Sequence, residues 1–481
     1  MSTITRSLPL DLSLATPVAA GRLTALFAGA EKLLDFLAVL SAVYVALALY
    51  QCLEPQRAAA FLGTSVFLWT GAFALLFVFL LERHGGYRPS VSLLAIRETE
   101  RILRVTLQAS LLAILMAYLC AAPVPRLAFV LSATTIPLFL TLEKWEVHNL
   151  LRMIRGKGYG ARRAIILGTG PEGRRVFSAL LRSPKFGVDP VAFIDDDPQT
   201  EVTEIYESTY HGKRSAEVLA GPICPQLFRQ LHASVLVIAT SAMDRESLLT
   251  TIAKAGEAGV TAYFAPGDSF GPGYWVDYAE LDGVMLAHLS QGTSRVLYEF
   301  VKRALDMFGA FVLLLGLALA VPVIALLVKL TSPGPVFFGQ ERVGKNGRHF
   351  HMYKFRTMYC DAPHYGYSPG SGDDPRLTPF GRLLRRASLD ELPQAFNVLL
   401  GQMSLVGPRP EMPFIVEKYT AWERQRLAVK PGMTGLWQIS PARVFPIHEH
   451  LEYDQYYVCH RSLFMDVAIL LHTVLFAARG I

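Results

Sequence analysis

The 481-residue chain is short of charge and has no closely spaced cysteines. Only 18% of its residues are Asp, Glu, Lys or Arg, while 52% are apolar. That balance is too greasy for an ordinary soluble enzyme and points to membrane segments. Its five cysteines, Cys52, Cys120, Cys224, Cys360 and Cys459, stand far apart with no CxxC pair. Such spacing argues against a disulfide scaffold or a structural zinc site and is compatible with soluble parts held in the cytoplasm. Residues 1–25 contain no short apolar core followed by a small-residue cleavage site, so no secretory signal is expected. Acidic charge is the scarcer sign: 46 Lys and Arg against 40 Asp and Glu leave a net +6. The excess suits anionic partners such as phosphates or lipid headgroups and does not choose between them. At roughly 100–200 residues per unit, the length allows about two to four structural units.

What the chain has in abundance is long apolar runs. A bilayer core needs roughly 20 apolar residues in a helix, and four candidates occupy residues 34–53, 58–81, 104–122 and 127–142. Basic residues flank them unevenly. Arg6, Arg22 and Lys32 precede the first run, Arg83, Arg88, Arg97, Arg101 and Arg104 follow the second, and Lys144, Arg152, Arg155, Lys157, Arg162 and Arg163 follow the fourth. The two other connections carry only Arg57 and Arg126. Because positive charge stays on the cytoplasmic side, this alternation predicts four spans with both ends inside. A fifth run over 307–328 has Lys302 and Arg303 before it and Lys329, Arg342, Lys345 and Arg348 after it. Both flanks prefer the same face, and Pro322 inside the run removes a backbone hydrogen bond and predicts a kink. A helix that enters, bends and leaves on one face satisfies both facts; the competing reading is an ordinary fifth span.

Between these runs, residues 143–290 read as a Rossmann-like α/β domain facing the cytoplasm. "RRAIILGTGPEGRRVFSALL" has the pattern strand, tight turn, helix, and Gly168, Gly170 and Gly173 match G-x-G-x-x-G. A second strand, "VAFIDDD", ends in Asp195, Asp196 and Asp197. In a nucleotide-binding version the glycines admit a pyrophosphate to the helix N-terminus and the acid, Asp195, holds a ribose. The acid arrives late and only about half of a full dinucleotide fold is visible, so a module serving folding, pairing or regulation fits equally well.

The last third carries the densest chemistry. Two alternating strands flank Asn346-Gly347 in "SPGPVFFGQERVGKNGRHFHMYKFRTM", a hairpin signal. The second ends in Lys354 and Arg356, which the strand period of two places on one side. A polar loop over 361–376 holds Asp373 and Asp374. "RRASLDELPQ" then sets Arg385 and Arg386 ahead of Asp390 and Glu391, and Arg409 follows between prolines. Arginine recognises phosphate oxygens bidentately. A free aspartate, with a pKa near 3.9, is already anionic at neutral pH and can attack phosphorus without a base. Magnesium takes hard oxygens and bridges substrate phosphates through one or two carboxylates. Neighbouring helical residues point about 100° apart, which favours divided roles for Asp390 and Glu391. Ser388-x-x-Glu391 is also a formal capping box, although Pro393 favours a helix that starts after Glu391.

From residue 297 onward the chain resembles the bacterial sugar transferases, the polyprenyl-phosphate hexose-1-phosphate transferases also called monotopic phosphoglycosyl transferases. "SPGPVFFGQERVG", "YKFRTM", "RRASLDELPQ", "NVLLGQMSLVGPRP" and "KPGMTG" carry the resemblance. The four-span leader and Rossmann-like module look like the large, exopolysaccharide-priming members. The resemblance implies transfer of a sugar phosphate from a UDP-hexose to polyprenyl phosphate with release of UMP. Asp390 then matches the nucleophile and Glu391 its partner at a magnesium site built from both carboxylates. Arg385 and Arg409 match phosphate-binding positions, with Lys354 and Arg356 as further candidates, and Pro322 matches the centre of a re-entrant helix. Gln402 departs from the pattern, in which an acid commonly precedes Met-Ser. The expected organisation is a four-helix membrane domain over 1–142, the Rossmann-like domain over 143–290, a re-entrant helix over 297–330 and an α/β catalytic domain over 331–481. The fold class is thus an α+β membrane protein of the bacterial inner membrane, catalytic side inward, in contact with membrane lipids. No nucleic-acid partner is expected, and a homodimer is left open. The rival enzyme is a membrane-anchored nucleotide-sugar dehydratase or epimerase carrying NAD. It would need a Tyr-x-x-x-Lys pair, and Tyr298 and Lys302 match that spacing. The non-enzymatic rival is a nucleotide-sensing membrane scaffold.

Overall fold

Long helices follow from the apolar runs. The computed structural model describes residues 17–57, 64–87, 96–120, 125–156, 162–182, 187–195, 204–209, 212–240, 243–265, 275–281, 284–290, 296–362, 374–440 and 451–477. Two compact units divide the chain, residues 1–269 and 270–481. The first opens with α1 (Pro17–Leu53), α2 (Thr64–Arg83), α3 (Ile96–Leu119) and α4 (Arg126–Gly156). Each contains a stretch long and apolar enough to cross a membrane. They share a core of Val39, Tyr50, Phe77, Val105, Ile136 and Leu140, and turn Phe67, Leu68, Tyr118 and Leu119 outward. Exposed apolar side chains at this density suit a lipid surrounding. Lys144 of α4 lies 2.6 Å from Asp35 and 2.8 Å from Glu31 of α1, and Tyr87 donates to Asp35 at 2.7 Å. Mutual pairing is what allows these charges to be buried together. The helix α4 runs past residue 142 to Gly156, so the junction expected between 142 and 143 lies inside a helix.

The same unit holds a six-stranded sheet: β1 (Arg162–Leu167), β2 (Val188–Asp195), β3 (Glu204–Thr209), β4 (Gly212–Ala220), β5 (Val235–Ile238) and β6 (Thr261–Phe264). The order is β3-β4-β2-β1-β5-β6. All neighbours are parallel except β3 with β4. Strand β1 is buried from Ala164 to Leu167, as a strand covered on both faces must be. Helices α5 (Pro171–Arg182), α6 (Pro225–Gln230) and α7 (Arg245–Glu257) alternate with the strands, which is the expected doubly wound pattern.

The second unit begins with a hairpin of β7 (Trp275–Leu281) and β8 (Val284–Ser290), so these strands group with the C-terminal part and not with residues 143–269. Next comes α8 (Val296–Thr331), 36 residues with Pro322 inside and about 54 Å long at 1.5 Å per residue. Both of its ends are tied to the globular part of this unit. At the start, Arg303 donates to the carbonyls of Val398 and Leu399 at 2.7 and 3.0 Å, and the buried Asp306 accepts from the backbone of Leu405 at 3.0 Å. At the far end, Leu317, Ile324 and Val328 pack with Phe355 and Leu384. Its other faces expose Phe308, Phe311, Leu315, Leu319, Val323 and Leu326.

The Tyr298–Lys302 spacing has a structural explanation. Both side chains donate to one carboxylate oxygen of Asp466, at 2.9 and 3.0 Å, while Tyr457 donates to the other at 2.7 Å. The knot joins α8 to α11 (Glu452–His460) and α12 (Leu463–Ala477). Removing one partner of a buried ion pair costs roughly 3–5 kcal/mol. Asp466→Ala is therefore expected to lower the melting temperature of the detergent-solubilised chain by several degrees, whereas Asp466→Asn, which keeps an acceptor, is expected to lose less.

Candidate active site

The hairpin expected around Asn346-Gly347 is present: β9 (Phe337–Val343) pairs antiparallel with β10 (His349–Phe355). Asn346 takes φ 56° at its turn, a conformation asparagine tolerates better than most residues. Against β10 lies α10 (Gln394–Leu399). Its fully buried Asn397 accepts from the Tyr353 backbone at 3.1 Å and donates to the His351 carbonyl at 2.7 Å. The second amide hydrogen of Asn397 goes to Gln402 at 2.7 Å, so the residue that departs from the family pattern supplies the acceptor. This lock sets the end of β10, and with it Lys354, against the turn that precedes α10.

That turn carries the acid pair. Helix α9 (Pro379–Arg386) starts at Thr378, whose hydroxyl accepts from the Gly381 backbone at 3.0 Å. Beyond α9 the chain reverses through Ser388 at φ 54° into a single 3₁₀ turn, Leu389–Glu391. The serine side chain caps nothing there, so the capping box is not formed, and the helix starts after Pro393 as the proline predicted.

Three segments converge on the turn. Lys354 Nζ and Arg409 Nη2 both bind Glu391 Oε1, at 2.7 and 3.0 Å. Burial alone would raise the Glu391 carboxyl, but the charges of Arg409 and Lys354 outweigh it and hold the group far below the usual carboxylate range. Lys354 is lowered, because burial outweighs its attraction to Glu391. Asp390 is 6% exposed and accepts no hydrogen bond from any described residue. Burial raises its pKa; Lys354 pulls it back and Glu391 adds to the rise. Arg385 stands within electrostatic reach of Asp390 while its Nε donates to Thr357 at 3.0 Å.

Arg409 is placed by backbone packing. Strand β11 (Ser404–Val406) lies parallel to β12 (Gly432–Thr434), which brings "KPGMTG" onto "VGPRP". A Cβ at Gly432 would stand 2.1 Å from the Gly407 nitrogen, and one at Gly435 would stand 2.2 Å from the Gly407 carbonyl oxygen. From behind, the buried Arg426 donates to the Arg409 carbonyl at 2.6 Å and to Asp454 at 2.5 Å. The Arg409 guanidinium lies 5.7 Å over the Trp437 ring. Trp437 lies in the stretch "KPGMTGLWQIS" that the sequence marks out, whereas Arg426 was not among the residues singled out from sequence.

Arg356 departs from expectation. Its guanidinium donates to the carbonyls of Ser332 and Pro333, both at 2.6 Å, and to Cys360 Sγ at 2.9 Å. It closes the end of α8 and has little capacity left for a phosphate, because it lies just past the last strand residue and turns away from Lys354. Pro322 lies within α8, as described. The Rossmann-like candidates are remote in sequence and belong to the other unit. Gly168, at φ +106°, and Gly173, whose Cβ would stand 1.9 Å from the Gly168 oxygen, are required by the turn itself; Gly170 borders open space. Asp195 is turned onto this loop, accepting from the Thr169 backbone at 3.3 Å and from its hydroxyl.

The donor set fits a magnesium ion of the phosphate-bridging kind. No group of three or more His, Cys, Asp and Glu side chains gathers among the described residues. Asp390 and Glu391 Oε2, which no described side chain binds, would supply the one or two carboxylates that such an ion takes beside phosphate and water.

Residues 297–480 match the sequence model of the bacterial sugar transferases, and residues 82–219 match that of a CoA-binding domain. An undecaprenyl-phosphate galactose phosphotransferase from Salmonella typhimurium is 31% identical, over 70% of this chain and 71% of its own. A UDP-glucose:undecaprenyl-phosphate glucose-1-phosphate transferase from Xanthomonas campestris pv. campestris is also 31% identical, over 69% and 70%. An exopolysaccharide production protein from Rhizobium leguminosarum bv. phaseoli is 42% identical over 36% of this chain but 93% of its own.

A carboxyl with a depressed folded pKa contributes stability above its unfolded pKa, and the contribution is lost as pH falls toward the folded value. The melting temperature of the wild-type chain is therefore expected to fall more steeply than that of Glu391→Gln below about pH 4.3, the ordinary Glu value.

Proposed function

Because the chain belongs to the bacterial sugar transferase family, in its large form with an N-terminal region, we propose that it transfers a hexose 1-phosphate from a UDP-hexose to polyprenyl phosphate. UMP is released, and the product primes an exopolysaccharide, capsule or O-antigen. The observation that carries the reading is the split within one turn. Glu391 is clamped by Lys354 and Arg409, whereas Asp390 is buried without a hydrogen-bond donor. An under-solvated, unclamped carboxylate is a better nucleophile than a paired one.

In the first step, Asp390 attacks the phosphorus that bears the hexose. A bond forms from the carboxylate oxygen to phosphorus, the phosphoanhydride bond breaks and UMP departs with the bridging oxygen. In the second step, a phosphate oxygen of the polyprenyl carrier attacks the same phosphorus. The acyl phosphate bond breaks, Asp390 is restored and a polyprenyl diphosphate hexose leaves. Arg409 and Arg385 offer guanidinium groups to the phosphate oxygens, and Lys354 keeps Glu391 ionised beside them. Magnesium, held by Glu391 and Asp390 with substrate phosphates, would neutralise charge on the anhydride.

The relatives named for this chemistry are named for undecaprenyl phosphate, and the bacterial sugar transferase model matches residues 297–480 alone. Catalysis is therefore assigned to the segment after α8. The attachment of both ends of α8 to one compact unit supports re-entry over a fifth span, since a straight crossing would divide that unit between two sides of the bilayer. With the basic flanks, it supports a site at the cytoplasmic face of a bacterial inner membrane, where UDP-sugars are made. The four helices α1–α4 then anchor the chain, with the sheet domain as an accessory.

Asp390→Asn is expected to abolish UMP release from UDP-glucose or UDP-galactose in the presence of polyprenyl phosphate and magnesium. Intact-protein mass spectrometry of the wild type, quenched before acceptor is added, should show a hexose-phosphate adduct at that residue; turnover by the Asn variant would remove the nucleophile. Because burial raises Asp390, the acid limb of kcat/KM should lie above the ordinary aspartate value of about 3.9, and activity should be lost as pH falls through it. Tags placed before Phe36 and after Ile481 should both be reached only from the cytoplasm; a periplasmic C-terminus contradicts re-entry.

A further inference from the structure

Arg342, on β9, has no assigned role in the steps above, and its surroundings are unusual. It is 7% exposed, yet its Nε is buried and takes no partner. One Nη donates to the neutral amide of Gln340 at 2.7 Å. The nearest carboxylate, Glu411, stands 3.7 Å away, beyond a charge-assisted hydrogen bond. Arg426, equally buried in the same unit, shows what a satisfied guanidinium looks like there: it binds Asp454 at 2.5 Å, Tyr419 at 2.5 Å and the Arg409 carbonyl at 2.6 Å. Burial and then the neighbouring charge of Arg409 pull Arg342 down to about 10. Glu411 and Glu391 act in the opposite direction and do not restore it. Arg342 and Arg409 are thus two guanidinium groups held within electrostatic reach of each other, beside a Glu391 already shared between Arg409 and Lys354.

A buried cation left short of counter-charge is costly, and an arriving anion relieves the cost. From the under-paired guanidinium of Arg342 beside Arg409, we infer that Arg342 is a further substrate-binding residue, holding the second phosphate of the diphosphate while Arg409 holds the first. The inference rests on the UDP-hexose reading. Two guanidinium groups that feel each other's charge suit two linked phosphates, and a single phosphate, whether of UMP or of the lipid carrier, leaves one of them unmatched. The role differs from that of Arg426, which touches no substrate and positions Arg409 through its backbone.

The test uses the full chain in detergent with magnesium and calorimetric titration of UDP and UMP. In the wild type, UDP is expected to bind more tightly than UMP. Arg342→Met should weaken UDP by about tenfold or more, the scale of one charge-assisted hydrogen bond, while UMP changes by less than about threefold. Arg342→Lys, which keeps the charge and loses the fork, should fall between them. Melting without ligand separates this role from a structural one. Arg342→Met should melt at or above the wild-type temperature, since it removes an under-neutralised charge, whereas Arg426→Met should melt well below it. A retained preference for UDP in Arg342→Met overturns the inference. So does a fall in melting temperature as large as that of Arg426→Met, or a defect confined to the KM for polyprenyl phosphate. Failure of the wild type to bind UDP at all would instead overturn the sugar-nucleotide reading on which the inference depends.

Discussion

One carboxylate oxygen of Glu391 holds the catalytic part of this chain together. By accepting from both Lys354 and Arg409, it joins the end of a β-hairpin, a one-turn 3₁₀ segment and a proline-flanked loop that no shared secondary structure would bring together. Mutual attraction of the three charged groups offsets part of the desolvation cost of burying them. The clamp has a chemical consequence for the neighbouring residue. With the local cations committed to Glu391, Asp390 is left without a hydrogen-bond donor, and burial keeps its pKa up. An ionised, clamped carboxylate and a buried, unclamped one follow from adjacent residues with opposite electrostatic surroundings.

The second constraint is the way α8 is fastened. Its N-terminal turns are held by Asp466 and by the carbonyls that end α10, and its C-terminal end by Arg356 and an apolar cluster. Between these anchor points the helix exposes large apolar side chains. The acid-pair turn therefore shares its supports with a helix long and apolar enough to cross a membrane.

Legibility differed with the kind of signal. The α8 segment, the Asn346-Gly347 hairpin, the sheet pattern and the acid pair were readable because each rests on local periodicity, turn chemistry or residue type. Arg356 was misplaced because strand alternation was carried one residue too far: the strand ends at Phe355, and the next guanidinium turns back to the end of α8. Arg426 passed unnoticed and Arg342 counted only as a basic flank, because arginine in a strand or a short helix has no local mark of burial. The Tyr298–Lys302 pair shows the reverse error, a catalytic spacing that exists to bind Asp466. The domain limits near 142 and 290 were set by composition, which does not register a helix that runs on into polar residues, as α4 does.

Residue order by itself determined the apolar runs long enough to cross a membrane, most element types and the position of the adjacent acid pair, because hydrophobic run length, period and chemical type are properties of neighbours along the chain. Only the tertiary structure decided which cation meets which carboxylate: Lys354 and Arg409 with Glu391, Arg426 with Asp454, and Arg342 no nearer to one than 3.7 Å from Glu411. Coulomb energy and desolvation depend on distances across the fold, between residues as far apart in sequence as β10 and the loop after β11, and those distances exist only once the chain has packed.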